Sequence, residues 1–151
     1  MKSVRADLSN YIKQLKIIPI SDLHIGSPEC NQSQVHSYIE QLTNEKDTYC
    51  ILGGDLIDNA IVGSVGDVYE QQSTPMGQLG MIITLFLPVK DKILAVVQGN
   101  HEARSYKQTG IDLMAFFCRE LGISDRYDPV GICLFLRFGE VEKSIYKGKN
   151  K

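Results

Sequence analysis

Three short runs rich in β-branched residues, Leu15–Ser21, Thr48–Leu52 and Lys92–Val97, constrain this chain most. Each gives way abruptly to a polar motif, and segments long enough for a helix separate them. Runs of four to eight apolar residues bounded by turn formers read as buried strands. Strands that alternate with helices build an α/β fold with a largely parallel sheet. In such sheets ligands collect at the carboxyl ends of the strands. Those ends hold Asp22-Leu23-His24, Gly53-Gly54-Asp55 and Gly99-Asn100-His101-Glu102.

The intervening segments carry helix signals. Asn31 can cap a helix with Val35, Tyr38, Ile39 and Leu42 on its apolar face. Thr74-Pro75 opens a second helix, with Met76, Leu79, Ile82, Ile83 and Phe86 on one side, and Pro88 stops it. Thr109 with Asp112 has capping-box spacing and predicts a third, with Leu113, Phe116, Phe117 and Leu121 inward and Gly122 at its end. Pro19 predicts a bulge or an end in the first strand. The stretch from Gly63 to Gln72 reads as a surface loop. Ile132–Phe138 and Val141–Tyr146 predict a hairpin turning at Gly139-Glu140.

At 151 residues the chain is the size of one domain. A net charge of −2 gives no sign of a polyanion-binding surface. Cys30, Cys50, Cys118 and Cys133 form no CxxC pair and are expected as free thiols in a reducing compartment. Met1 to Leu15 lacks the apolar core of a signal peptide, and no apolar run is long enough for a bilayer. A cytoplasmic protein without membrane partners is expected.

The motifs carry the chemistry. Asp22 and His24 stand two residues apart, so their side chains can share one side. A carboxylate with an imidazole suits Mn²⁺, Fe or Zn²⁺ better than Ca²⁺. Taken alone, such a pair is more often a turn residue beside a surface histidine. Gly53 and Gly54 allow a sharp turn that brings Asp55 close to a ligand, although a plain Gly-Gly-Asp turn has the same sequence. Asp58 either orients a ligand or caps the next segment. Asn100 can offer a carbonyl oxygen to a metal, and histidine is the residue type suited to proton transfer near neutral pH, so His101 could protonate a leaving group. Arg104 reads first as a solvated helix-face arginine and second as a phosphate contact.

Together and in this order, the motifs resemble those of the calcineurin-like metallophosphoesterase superfamily, whose pattern is DxH, then GD or GGD, then GNH[DE]. The resemblance runs from about Leu15 to Glu102. It implies an α/β/β/α sandwich of two mixed sheets and a site with two divalent metal ions. Asp22 and His24 would bind the first ion, Asp55 would bridge both, and Asn100 would bind the second. A hydroxide held between the ions would attack phosphorus in line, with His101 stabilising or protonating the leaving oxygen. The implied substrate is a phosphate ester; nucleotide, nucleic acid and phosphoprotein are not distinguished by site ligands.

The family pattern continues with an isolated histidine and a Gly-His-x-His segment. This sequence has three histidines, His24, His36 and His101, and none after Glu102. His36 follows Val35 in the first helix and reads as solvated. The expectation is therefore an N-terminal portion of a longer phosphoesterase, with weak or no activity alone and with apolar surface that favours self-association. The alternative is a non-catalytic binding or assembly module on the same fold. Retention of Asp22, His24, Asp55, Asn100 and His101 favours the enzyme. No glycine-rich phosphate loop follows the first strand, which excludes a nucleotide-binding domain of the common types.

Overall fold

The computed structural model describes residues 1–62, 64 and 70–139. Its strands are β1 (Lys2–Leu8), β2 (Lys16–Ile20), β3 (Thr48–Leu52), β4 (Ile93–Val96) and β5 (Ile132–Phe138). Its helices are α1 (Gln32–Asn44), α2 (Pro75–Phe86), α3 (Asn100–Thr109) and α4 (Leu113–Leu121), with short 3₁₀ segments at Leu87–Lys92 and Ser124–Arg126. The architecture is α/β. Strands β2, β3 and β4 form one sheet in that order, and β1 pairs with β5 in a second. All these pairings are parallel. No helix among the described residues is long and apolar enough to cross a membrane.

The three sequence-predicted strands lie where the apolar runs placed them. In β3 the side chains alternate: Thr48, Cys50 and Leu52 are buried, and Tyr49 and Ile51 are half-buried. Strand β2 is less buried than its sequence suggests, with Ile20 alone fully enclosed. Pro19 makes no bulge there; it pairs in register with Ile51. The reason is position, since an edge strand tolerates a residue without an N–H. The irregularity falls instead on β3, between Cys50 and Ile51 where it meets β4.

Helix α1 is capped as its sequence indicates, the Asn31 side chain accepting from the Gln34 N–H. Thr74 caps α2 through the Gly77 N–H. Both helices and α4 pack on the β2–β3–β4 sheet, with Phe86 edge-on to Phe117 at 6.1 Å. Such pairs contribute about 1 kcal/mol beyond the area they bury. Cys50 and Cys118 are free thiols within this core, and burial pushes both up to about 12, so they act as small apolar side chains.

Three elements differ from the sequence-based expectation. Strand β1 was not anticipated. Its alternation buries Val4 and Leu8 and exposes Ser3, Arg5 and Asp7. Strand β5 exists over the predicted span but pairs with β1 in parallel; the predicted second arm, Val141–Tyr146, lies outside the described residues. Thr109 does not open the third predicted helix. It closes α3, and Asp112 caps α4 by accepting from the Ala115 N–H. Asp112 also accepts from the Tyr127 hydroxyl at 2.8 Å; burial, and then this bond, raises the Tyr127 pKa, and the contact ties α4 to the segment beside β4. Most of the predicted Gly63–Gln72 loop is outside the described residues.

Candidate metal centre

Beyond β2 and β3 the two chains continue side by side. Asp22 N–H donates to the Gly54 carbonyl at 3.1 Å, His24 N–H to that of Asp55 at 3.1 Å, and Ile25 N–H to that of Leu56 at 2.9 Å. This pairing is not regular strand, because Asp22, His24 and Asp55 have φ of 56°, 48° and 52°. With Asn59 at 45°, these are the non-glycine residues in the left-handed region among those described. Asp, Asn and His tolerate that region better than most residues, but each still costs about 1 kcal/mol. Strained residues of this kind cluster at functional sites in proteins generally, which makes this cluster the candidate. His24→Ala should therefore be less stable than His24→Gly by about 1 kcal/mol in urea melts, because glycine alone enters this region freely. Equal stability would show that the backbone here is not strained.

The third motif locks onto the second through glycines and a buried carboxylate. A Cβ on Gly54 would stand 2.2 Å from the Gly99 nitrogen, and one on Gly99 would stand 2.2 Å from the Asp55 nitrogen. Glu102 is fully buried. Its Oε1 accepts from Leu56 N–H at 2.7 Å and Ile57 N–H at 3.2 Å, and its Oε2 from Asp55 N–H and Gly99 N–H, both at 3.0 Å. Burying a carboxylate is costly unless it is fully hydrogen-bonded, which it is here. Asn59 adds a further clamp: its amide donates to the His101 carbonyl at 2.6 Å, and its own N–H donates to Gln78 on α2.

These contacts bring together most of the sequence-predicted residues. Ligand atoms of Asp22, His24 and Asp55 lie within 4.8 Å of one another, with His24 Nε2 4.0 Å from Asp22 Oδ1. Donors around one transition-metal ion are separated by roughly 3–4 Å, so the His24–Asp22 pair stands at the upper end of that range, with Asp22 exposed. Asp55 Oδ1 is held by the His101 N–H at 2.8 Å, leaving its other oxygen for a cation. Two carboxylates and one imidazole form a donor set suited to Mn²⁺, Fe or Zn²⁺. Asn100 is exposed at the first turn of α3, next to the His101–Asp55 contact.

A second group, His24, Asp58 and His101, is equally close, but its chemistry differs. The His101 Nδ1 lies 2.5 Å from the Asp58 carbonyl, and Arg104 Nη2 lies 3.0 Å from His101 Nε2. A carbonyl only accepts and a guanidinium only donates, so these two contacts fit the tautomer with its proton on Nδ1. Both ring nitrogens are occupied, which makes His101 a neighbour of the donor set rather than a member. The Asp58 carboxylate stands 3.9 Å from His24 Nδ1 and 3.7 Å from His101 Nδ1. It lies beside the two imidazoles, which pack edge-on at 4.3 Å, where a residue that orients them would stand.

Two sequence readings need correction. Arg104 is half-buried over His101 and Asp58, not a solvated helix-face residue. Glu102 had no assigned role, yet it organises the site; its position three residues after Gly99 was the available signal. His36 is exposed on α1, as expected. A cavity of about 350 Å³ opens beside Asp22, His24 and Asp58, lined also by Ser27, Glu29 and Asn31. Comparisons of this chain with models of known families, with curated proteins and with solved structures give no match.

Proposed function

We propose that this chain is a metal-dependent phosphoesterase with the calcineurin-like α/β/β/α fold, hydrolysing phosphate mono- or diesters. The observation that carries the reading is the convergence of Asp22, His24 and Asp55 at adjoining strand ends, on a backbone strained at all three residues. Asp22 and His24 would hold a first divalent ion, and Asp55 and Asn100 would serve a second. Bound ions supply Lewis-acid activation of water and neutralise charge that develops on the phosphoryl group. The chain's own residues do the rest. Glu102 fixes the Asp55 backbone, Asp58 aims His24, and His101 faces the leaving oxygen, to which it gives a proton once its Nε2 is released and protonated.

The chain contributes three histidines in all, so the second ion has Asp55 and Asn100 alone from it. Turnover by this chain is accordingly slow. Metal binding remains measurable, because a cation relieves the repulsion between Asp22 and Asp55. At Mn²⁺ ten times above its dissociation constant the melting temperature should rise by roughly 3–6 °C. Asp22→Asn combined with Asp55→Asn should remove that rise. Hydrolysis of bis(p-nitrophenyl) phosphate should be slow, Mn²⁺-dependent and about 100-fold slower in His101→Ala. A melting temperature indifferent to Mn²⁺ would sink the reading. Metal binding with no trace of hydrolysis would favour a non-catalytic binding module.

A further inference from the structure

We infer that Arg104 is the phosphate-binding side chain of this site, held in the resting protein on His101 and released to a substrate oxyanion. The inference rests on the phosphoesterase reading and adds to it the residue that recognises the phosphoryl group. Arg104 lies on the second turn of α3, and its guanidinium reaches back over the motif residues. Nη2 donates to His101 Nε2 at 3.0 Å, and Nη1 reaches the Asp58 carbonyl at 3.4 Å. Neither partner is a carboxylate. Among the described residues Arg104 makes no ion pair, although Asp58 lies within the same cluster. A half-buried guanidinium usually finds a carboxylate, so this one keeps an unneutralised charge beside the proposed reaction centre.

The chemistry of the two states favours an exchange. A guanidinium presents a planar fork that matches two oxygens of a phosphate, and charge-assisted pairs are about twice as strong as neutral ones. A long 3.4 Å contact and one imidazole contact are weak competitors for a phosphoryl group. When the fork turns to phosphate it also vacates His101 Nε2, the atom that faces the leaving oxygen. Binding and exposure of His101 are then one movement. Nothing else on α3 offers this: Lys107 is exposed and lies nearly one turn further along the helix.

Inorganic phosphate is the probe, titrated by calorimetry into the chain with and without Mn²⁺. The wild type should bind phosphate, more tightly with Mn²⁺ present, because the neighbouring carboxylates oppose an anion. Arg104→Met should weaken that binding about tenfold or more in either condition, and Arg104→Lys should retain part of it, as a point charge without the fork. The Mn²⁺-induced rise in melting temperature should be unchanged in both variants, which separates a lost phosphate contact from a damaged site. Phosphate binding that survives Arg104→Met, or a wild type that binds no phosphate in either condition, would overturn the inference. A missing Mn²⁺ response with intact Arg104-dependent phosphate binding would count against the metal reading alone.

Discussion

Glu102→Gln should lower the unfolding free energy by about 4 kcal/mol, and Glu102→Ala should leave the chain largely unfolded at 25 °C. The carboxylate is fully buried and accepts four backbone N–H groups, two on each oxygen. Glutamine keeps the shape but turns one oxygen into an amide donor. Whichever way the amide lies, two N–H groups face N–H instead of oxygen. Each orphaned buried donor costs about 1–3 kcal/mol, against a total stability of roughly 5–15 kcal/mol for a domain. Alanine orphans all four and leaves a cavity as well. Glu102→Asp should not rescue, because the shorter side chain cannot span both the Asp55–Ile57 turn and Gly99. Urea denaturation followed by far-UV circular dichroism measures all three. A Glu102→Gln variant within 0.5 kcal/mol of wild type, roughly the error of such melts, would show that the four bonds carry no net stability.

The same residue explains what was legible in the sequence. Strands β2, β3 and β4 and helices α1, α2 and α4 bury apolar side chains at strand or helix spacing, and that spacing is visible without a structure. Helix α3 is different. Its sequence, Asn100 to Thr109, is polar on every side, and Glu102 is its fully buried residue. It is anchored by a carboxylate receiving backbone hydrogen bonds from a distant turn, and no apolar stripe announces it. Thr109 and Asp112 then compete for one capping signal, and Asp112 wins because Gly110, at φ 74°, has already ended α3. Strand β1 had the opposite fault. Its two-residue alternation is present, but Lys2, Arg5 and Asp7 make it look like a polar terminus, and its partner β5 is some 130 residues away.

The candidate site divides along the same line. Residue types at strand ends were enough to select Asp22, His24, Asp55, Asn100 and His101, because chemistry restricts which side chains bind metals or carry protons. The interactions that place them were not legible. Arg104 meets His101 Nε2 at a spacing of three residues that helix geometry allows but does not require, whereas Asp58 and Asn59 reach His101 across more than forty residues, Asn59 from left-handed backbone. Local sequence patterns do not encode such contacts.

Gly54→Ala should cost at least about 4 kcal/mol and abolish the Mn²⁺ response, while Gly110→Ala and Gly122→Ala should cost about 1–2 kcal/mol each. All three glycines have positive φ, at 89°, 74° and 74°. A methyl group on Gly110 or Gly122 meets nothing within 4 Å, so backbone strain is its whole penalty. On Gly54 the same methyl group would lie 2.2 Å from the Gly99 nitrogen and 2.5 Å from its Cα, both backbone atoms that cannot swing aside. Gly99→Ala isolates the steric term. Its φ of −91° suits any residue, yet its Cβ would meet the Asp55 nitrogen and Oδ1 at 2.2 Å. If close approach of the second and third motifs builds the site, Gly54→Ala and Gly99→Ala should both lose Mn²⁺ binding, and the two helix-end variants should keep it. Equal losses at Gly54, Gly110 and Gly122 with Gly99→Ala unaffected would mean that left-handed backbone, not contact between the motifs, decides the outcome. The mutual exclusion of side chains at Gly54 and Gly99 is what lets Asp55 approach the start of α3, where its Oδ1 accepts from the His101 N–H. A methyl group at either position pushes the carboxylate away from Asn100 and His101, and so separates the residues that the proposed chemistry needs together.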